Sequence, residues 1–363
     1  MHRRSFLRLM AAAAPAASVG RHALLAQLSS ASAWRTYEIT TSIQILKPSG
    51  RTRIWLPQPL TENTRLQRVL SSTTQCDGGK TWIHKDNRVG LKMLVAEFPR
   101  NEPAVLTTTQ RVSTRDWSVL VQEAPSVAKY PMPKDAAKFL EPTRYVPTDG
   151  IVKSKADEIT KDATTDVGKV RAIYDWIVIN TYRDPKVRGC GVGNIRPMLE
   201  TGNLSGKCAD LNALFVGLVK ASGIPARDVY GIRIGASDLE CKSLGTSSDH
   251  IEKSQHCRAE VFLTGYGWVP MDPADVRKVV LEEPPGNLAL TDKKVEAVKQ
   301  RLFGSWEMNW MAYNYAQDVA LPGSKAAPLP FFMYPQGETD ELRLDPLDPD
   351  HFRYEITSHE VVG

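Results

Sequence analysis

The sequence lacks several features that would assign it to a familiar class of protein. Beyond the first 33 residues it has no run of about 18 or more apolar residues, which argues against a membrane-spanning helix. It has no Cys-x-x-Cys pair, so a zinc site is not expected. It also has little net charge: 46 basic residues face 41 acidic ones, and four of the basic ones lie in the first 33 residues. The composition therefore gives no reason to expect a nucleic-acid partner.

Residues 1–33 carry no acidic residue and predict a targeting segment. Arg3 and Arg4 precede an alanine-rich apolar stretch that Pro15 interrupts, and small residues at positions 31–33 offer a cleavage site. The paired arginines resemble the twin-arginine signal peptide of bacteria, which directs folded proteins across the membrane. The sequence therefore predicts a periplasmic or otherwise exported protein that meets the membrane only during export.

Cysteine is scarce, and its count is odd. The five cysteines are Cys76, Cys190, Cys208, Cys241 and Cys257. In an exported protein an odd count leaves a thiol unpaired or an intermolecular bridge to explain. The sequence does not fix the pairing, and a disulfide between Cys208 and Cys190 would block Cys208. A remaining free thiol is what a cysteine enzyme requires.

The rest of the chain divides into three segments. Residues 34–130 contain alternating β-type runs separated by Asn, Asp, Gly and Pro, which is typical of an antiparallel sandwich. Residues 131–280 begin with a proline-rich linker, continue with helices followed by a hairpin, and contain the candidate catalytic residues discussed below. Residues 281–363 form a mixed α/β extension. The predicted fold class is α+β.

Two helices are indicated by apolar periodicity. Residues 167–181 place one set of apolar side chains on a single face, namely Val170, Ile173, Tyr174, Ile177 and Val178. Residues 208–222 place a second set on one stripe, namely Leu211, Leu214, Phe215, Leu218 and Val219. Gly223 follows the second helix as a stop signal. In the C-terminal segment Trp306, Trp310 and Tyr313 have helical spacing, which predicts a core stripe, with a substrate-facing wall as the alternative.

Cys208 is the candidate nucleophile because it begins the second helix. The free N–H groups and the positive end of the helix dipole favour the thiolate at this position. A cysteine at a helix start is also often a small core residue, so this position alone does not assign a function. The backbone N–H of Cys208 is the candidate donor to an oxyanion.

His256 and Asp272 lie on either side of a predicted hairpin. If the turn centres on Thr264, the two residues lie directly opposite each other, and a longer turn through Gly267 makes them diagonal neighbours. In either register a carboxylate can hold one imidazole nitrogen while the other faces the thiol. The alternative is a surface pair with no catalytic role.

Several motifs around these three residues resemble the transglutaminase-like superfamily. The nucleophile block is Gly206-Lys207-Cys208-Ala209-Asp210 followed by Gly223-Ile224-Pro225-Ala226-Arg227. The other two blocks are His256 with Ala259-Glu260-Val261, and Gly267-Trp268-Val269-Pro270 with Asp272-Pro273. The resemblance implies a papain-like core of helices packed on an antiparallel sheet. It also implies that Cys208 is the nucleophile, His256 the base and Asp272 the orienting acid.

The resemblance implies acyl transfer through a thioester on Cys208, without a cofactor or a metal ion. Hydrolysis of a peptide or isopeptide amide is the expected reaction, and the partner is a peptide or protein substrate, cell-wall peptide included. Two alternatives remain open: transamidation of a protein glutamine by an amine, and a non-catalytic scaffold that binds peptides.

Three further residues are candidates for the cleft. Tyr182, at the end of the helix before Cys208, offers a hydroxyl to an oxyanion, although a core aromatic is the competing interpretation. The glycine-rich loop that ends at Asn194 is expected to line the cleft rather than to bind phosphate. Cys257 and Arg258 depart from the Ala-Trp pair common in the superfamily. On a strand, Cys257 is expected to face away from His256, and Arg258 to lie at the cleft rim or to pair with a surface acid.

Overall fold

A computed structural model describes residues 33–61, 64–122 and 132–361. The predicted targeting segment (1–33) therefore lies outside the described residues except for its last position, and the predicted boundary between residues 130 and 131 also lies outside them. In the part of the chain that is described, no helix combines the length and apolar composition that crossing a bilayer requires.

Two antiparallel sheets form a sandwich. The first sheet has the order β19-β1-β6-β3. Its strands are β1 (Arg35–Ile45), β3 (Gln67–Cys76), β6 (Ala104–Thr114) and β19 (Phe352–Val361). The second has the order β18-β17-β2-β5-β4. Its strands are β2 (Thr52–Pro57), β4 (Lys80–Asp86), β5 (Leu91–Phe98), β17 (Gln336–Glu338) and β18 (Arg343–Leu344). Apolar residues of both sheets, such as Ile43 and Ile54, share one buried cluster, so the sheets pack face to face.

A third antiparallel sheet and most of the helices form the second half of the molecule. The sheet has the order β12-β11-β10-β14. Its strands are β10 (Ala226–Arg233), β11 (Gln255–Leu263), β12 (Gly267–Met271) and β14 (Trp310–Asn314). The helices of the described chain are α1 (Lys134–Ala137), α2 (Gly150–Thr160), α3 (Asp166–Asn180), α4 (Ile195–Thr201), α5 (Cys208–Ala221), α6 (Pro273–Glu282) and α7 (Lys293–Arg301). Helix α5 packs on β10 and β11, and α2, α3 and α6 surround it. This arrangement confirms the predicted α+β class.

The described residues also contain three short strand pairs, and three 3₁₀ helices at Asn87–Val89, Lys138–Leu140 and Lys242–Leu244. The strand pairs are β7 (Trp117–Ser118) with β13 (Ser305–Trp306), β8 (Tyr182–Arg183) with β9 (Ser205–Gly206), and β15 (Gln317–Val319) with β16 (Leu329–Phe331). The parallel pair of β8 with β9 fixes the chain just before α5.

Helices α3 and α5 match their predicted faces. All five predicted core residues of α3 are buried, and the helix begins at Asp166 because the Thr165 hydroxyl accepts a hydrogen bond from the Gly168 N–H at 2.9 Å. Helix α5 buries every residue on its predicted stripe. Gly223 ends it with a φ of +83°, a left-handed conformation that glycine adopts without strain.

The aromatic segment near residue 310 is a strand rather than a helix. Trp306 lies in β13, and Trp310 and Tyr313 lie in β14 beside β10. The prediction of a helical stripe is therefore wrong, although the three aromatic side chains are buried as a core would require. The segment pairs with β10, which is distant in sequence. This pairing, rather than the local spacing of the aromatic residues, determines that it is a strand.

Candidate active site

Cys208 is the first residue of α5, and only 4% of the residue is exposed. The first N–H groups of a helix have no partner within the helix. Here the Ala209 N–H donates to the Cys190 carbonyl oxygen at 3.0 Å, and the next two N–H groups donate to the Lys207 carbonyl oxygen. Across the described ranges, the Cys208 N–H has no acceptor. This donor is therefore available beside its own thiol.

Asp210 holds the glycine-rich loop against the start of α5. Its Oδ1 accepts hydrogen bonds from the N–H groups of Val192 and Gly193, both at 2.9 Å, and its Oδ2 accepts one from Lys207 at 3.0 Å. A Cβ atom at Gly191 would overlap the carboxylate, and the φ of +90° there also requires glycine. The loop therefore has a structural reason for its glycines, separate from phosphate binding.

His256 and Asp272 come together from the two strands of one hairpin. His256 is the second residue of β11, and Asp272 directly follows β12 as the N-cap of α6. Ala259 pairs with Met271, so Asp272 is a diagonal neighbour of His256, as expected for the longer of the two turns. The Nε2 atom of His256 lies 2.7 Å from Oδ2 of Asp272, and both residues are buried.

Asn212 holds the Asp272 carboxylate from the side of α5. Its Nδ2 donates to Oδ1 of Asp272 at 3.2 Å and to the Cys257 carbonyl oxygen at 2.9 Å. Its Oδ1 accepts from the Ala274 N–H at 3.3 Å. Asp272 Oδ1 also accepts from the Asp275 N–H at 3.1 Å. These bonds leave Oδ2 of Asp272 facing His256 in a fixed orientation.

A second carboxylate and two guanidinium groups complete a buried charge cluster. Oδ2 of Asp275 lies 3.3 Å from Nε2 of His256, and its Oδ1 accepts from Arg233 at 2.6 Å. Nε of Arg258 lies 3.7 Å from Oδ2 of Asp272. All five side chains are buried. Two cations balance two anions, so the cluster is electrically neutral before His256 gains a proton.

The thiol of Cys208 is acidic in this environment. Hydrogen bonds with the Cys190 and Cys257 thiols, and then the neighbouring His256 ring, hold the pKa of Cys208 well below the usual 9.0. These contacts prevail over burial, which by itself raises a thiol pKa. All cysteines of the described chain, these three included, are free thiols. The site therefore favours a thiolate at Cys208.

The imidazole of His256 is basic. Burial and the Arg233 charge lower its pKa, but the Asp275 and Asp272 carboxylates raise it more, to about 9. Because Nε2 is bonded to Asp272, Nδ1 is the nitrogen that can meet the Cys208 sulfur. Between the pKa of Cys208 and that of His256, the pair is a thiolate and an imidazolium, the form in which a thiol attacks a carbonyl group.

A cavity of about 150 Å³ opens beside Cys208 and His256. Most of its lining side chains are polar or charged. The lining residues are Arg183, Gly189, Cys190, Lys207, Cys208, Arg233, Gly245, Lys253, Ser254, Gln255, His256 and Lys278. Gly245, Lys253 and Ser254 belong to the long loop between β10 and β11, so this loop forms part of the cavity wall.

Ligand atoms of His256, Asp272 and Asp275 lie within 4.8 Å of one another, a spacing that a metal ion could bridge. However, the Arg233 and Arg258 guanidinium groups lie against the same carboxylates. They already supply the countercharge that a divalent cation would supply, and they would repel such an ion. We therefore interpret this group as a hydrogen-bonded cluster rather than a metal centre.

Comparison with known proteins agrees with this geometry. A family model described as the transglutaminase-like superfamily matches residues 153–273. An uncharacterized protein of Haemophilus influenzae is 36% identical over 344 residues, which cover 90% of this chain and 91% of that protein. The chain belongs to the transglutaminase-like superfamily. The matched segment runs from α2 to the start of α6 and contains Cys208, His256 and Asp272.

Two solved structures are similar at low sequence identity. A proposed cysteine protease from Cytophaga hutchinsonii is 17% identical with a TM-score of 0.49, covering 91% of this chain and 99% of that one. The periplasmic domain of TgpA from Pseudomonas aeruginosa is 16% identical with a TM-score of 0.35, covering 76% of this chain and 96% of that one.

Two of the additional candidates do not lie at the cavity of this superfamily member. Tyr182 is half exposed, and its hydroxyl donates to Oδ1 of Asn203 at 3.3 Å, so the structure does not bring it to Cys208. The pairing of β8 with β9 places the next residue, Arg183, in the cavity lining instead. Asn194 precedes α4 as its N-cap and is not among the lining residues. Only the first part of the glycine-rich loop reaches the cavity.

Cys257 is buried in the apolar cluster that includes the α5 side chains, and its thiol is close enough to influence the pKa of Cys208. Arg258 lies near Asp272, on the same side of β11 as His256, but the structure places it neither at the rim of the cavity nor at the surface. Arg258 is buried behind the cavity, where it donates to the Glu307 carbonyl oxygen at 2.9 Å and lies over the Trp310 ring at 4.9 Å. Burial lowers the pKa of Arg258 to about 10.

Sequence reasoning missed three residues of the site. Asn212 is a polar residue on α5 four positions after Cys208, and this spacing places it on the same helix face. Asp275 follows Asp272 by three positions at the start of α6, which resembles a capping pattern. Both spacings were visible in the sequence. Arg233 ends a strand without any local pattern, so only the assembled sheet reveals it.

Proposed function

We propose that the protein is an exported cysteine hydrolase that cleaves peptide or isopeptide amide bonds through a thioester on Cys208. The observation that carries this proposal is the buried 2.7 Å contact of His256 with Asp272 beside an acidified thiol at the start of α5. Asp272 orients the imidazole, and His256 is the proton carrier. Export to the periplasm rests on the paired arginines Arg3 and Arg4.

The mechanism has two proton transfers. The Cys208 thiolate attacks the amide carbonyl carbon, and the Cys208 N–H donates to the oxygen that becomes negative. The imidazolium of His256 then gives its proton to the departing amine as the carbon–nitrogen bond breaks, which leaves the thioester. Next, His256 takes a proton from water as the water attacks the thioester. The carboxylic acid leaves and the thiolate–imidazolium pair is restored.

The charge of the cavity favours hydrolysis over transamidation. Five basic side chains line it, namely Arg183, Lys207, Arg233, Lys253 and Lys278, and none of its lining residues is acidic. A primary amine acceptor arrives from water as an ammonium ion, which Lys207 and Lys253 repel because, among the described residues, neither has a carboxylate partner. Water carries no charge and enters a polar cavity without this penalty.

The test is the reaction of the mature protein with iodoacetamide, followed by peptide mapping to identify the labelled cysteine. The pH runs from about 5 to about 9, a range that includes the pKa values of activated and ordinary thiols. We expect rapid labelling of Cys208 well below the ordinary thiol range, and slower labelling in His256→Ala. The matched control is His359→Ala, because His359 is an exposed strand residue far from α5. Equal rates in both variants would leave the non-catalytic scaffold as the better interpretation.

Reaction products separate the two enzymatic alternatives. The protein is incubated with glutamine-containing and isopeptide-linked peptides, with and without a diamine, and the products are weighed by mass spectrometry. We expect acids as products, with or without the diamine. Diamine adducts in place of acids would establish transamidation and refute hydrolysis as the main reaction.

A further inference from the structure

Two lysines lie at the entrance to the cavity beside Cys208. Lys207 and Lys253 line both this cavity and a groove of about 380 Å³ that adjoins it. Lys207 directly precedes Cys208, and Lys253 lies three positions before His256. A chain that reaches the thiol from the groove therefore passes beside both lysines.

The other cations of the cavity already have partners. Arg233 is paired with Asp275 at 2.6 Å, and Arg183 and Lys278 both meet Glu282, the latter at 3.7 Å. Their charges are balanced within the protein.

Lys207 and Lys253 differ in this respect. In the part of the chain that the structure describes, neither ammonium group has a carboxylate at ion-pair distance, and Lys207 is half-buried. A half-buried ammonium group without a counterion is costly unless another anion approaches it. The thiolate of Cys208 is already paired with His256, so an incoming anion is needed to balance the charge of Lys207. Lys253 is exposed and adds its positive charge at the same opening.

The groove offers the remaining contacts that a peptide would need. Tyr334, Leu347, Phe352 and Tyr354 form an apolar wall, and Glu252 is the acid among its lining residues. Its Arg188 is paired with Asp345 and adds no free charge at this end. Glu252 also has no ion pair among the described residues, so the two unpaired lysines outnumber one unpaired acid where the groove meets the cavity.

We propose that the acyl donor carries a carboxylate group close to the scissile amide, and that Lys207 and Lys253 bind this carboxylate. The substrate class is an acidic peptide, with a free α-carboxylate or an acidic side chain beside the cleaved bond. This inference rests on the proposed function, since it concerns the same site. It adds the chemical property by which the site selects its substrate.

The experiment compares two alkylating reagents that differ only in charge. In iodoacetate the carboxylate is bonded directly to the carbon that reacts with the thiol. Iodoacetamide is its neutral counterpart. Both rates at Cys208 are divided by the rates of a small reference thiol. The measurement is made on wild type, Lys207→Gln, Lys253→Gln and the double variant. Lys161→Gln, an exposed lysine at the end of α2, is the matched control.

We expect Cys208 to prefer iodoacetate over iodoacetamide relative to the reference thiol. Each single substitution should lower this preference by about two- to fivefold, the range of a partly exposed ion pair. Acetate and succinate should compete with iodoacetate, and added salt should weaken the preference because it screens the charges. Lys161→Gln should behave as wild type. In peptide substrates, a Glu beside the cleaved bond should be preferred over Gln.

The outcomes separate this inference from the proposed function. Slow reaction of Cys208 with both reagents would refute the activated thiol itself. Rapid reaction with iodoacetamide but no preference for iodoacetate would refute only the carboxylate site. If the lysine variants slow both reagents equally, the lysines act on the thiolate alone, and the substrate inference is wrong.

Discussion

Replacement of Asp272 by asparagine tests the orientation of His256 most directly. The two side chains have the same shape, and an asparagine oxygen can keep the contacts with Asn212 and with the Asp275 N–H that cap α6. What changes is the atom 2.7 Å from Nε2 of His256, where an amide N–H replaces a carboxylate oxygen. Nε2 must then accept a hydrogen bond, so the neutral ring carries its proton on Nδ1, towards Cys208.

The loss of the charge is large because the pair is buried. At an effective dielectric constant of about 20, unit charges about 4 Å apart interact by about 4 kcal/mol, or about three pKa units. Asp275 remains 3.3 Å from the imidazole, but its negative charge is partly neutralised by the ion pair with Arg233. We therefore expect the pKa of His256 to fall from about 9 by about two to three units. Near pH 7 about half to nine-tenths of the imidazolium would be lost.

The assay is the pH dependence of Cys208 alkylation by iodoacetamide. In Asp272→Asn the pH midpoint should move upward, and labelling near pH 6.5 should slow by about 10- to 100-fold as the thiolate loses its cation. Asp292→Asn is the control, because Asp292 caps α7 through a hydrogen bond from the Lys294 N–H at 2.8 Å. An unchanged midpoint in Asp272→Asn, with the fold intact by circular dichroism, would refute the assigned role of this carboxylate.

Four further outcomes are expected. Amide hydrolysis should decline as pH rises through about 9, because His256 then loses the proton that the leaving amine needs; a constant rate to higher pH would contradict this. Asn212→Ala should lower the free energy of unfolding by about 2–4 kcal/mol in denaturant titration, since it removes one donor each from the Cys257 carbonyl oxygen and Asp272 and takes the acceptor from the Ala274 N–H. Asp210→Asn should increase hydrogen exchange in the glycine-rich loop, because one amide oxygen cannot replace both carboxylate oxygens. Tyr182→Phe should leave Cys208 alkylation unchanged, and a large effect would show that its hydroxyl reaches the thiol.

Much of the local structure was predictable because local forces determine it. The apolar stripe of α5 and its glycine stop are encoded within 16 residues, and the structure gives Cys208–Ala221 for a helix predicted over residues 208–222. The hairpin was also predictable, since glycines at 265 and 267 separate two β-type runs. Its register was not, because a difference of two residues in turn length decides whether Asp272 faces His256 or Arg258.

The order of the strands in the sheets was not predictable, because strands that are far apart in sequence pair with each other. β19 lies beside β1 although about 300 residues separate them in sequence, and β14 joins β10 from the opposite side to β11. Residues of the predicted C-terminal extension thus contribute to both halves of the molecule. Periodicity reports which face of an element is buried, but the identity of the partner depends on the packing of the whole chain.

The buried charges explain why the site could be only partly inferred. Cys208, His256 and Asp272 have roles that their chemistry suggests in advance, since a thiol, an imidazole and a carboxylate are the groups that acyl transfer uses. Arg233 and Arg258 take no part in that chemistry, yet without them two carboxylates would lie buried beside one imidazole. Like charges at this distance raise the pKa of one carboxylate. Burial and the Asp275 charge raise the pKa of Asp272, whereas at Asp275 the Arg233 charge outweighs burial and holds the pKa well below its usual value. Arg233 therefore favours the ionised form of Asp275, one of the two carboxylates that raise the pKa of His256. A residue that acts by neutralising another charge has no motif of its own, and only its position in the fold reveals it.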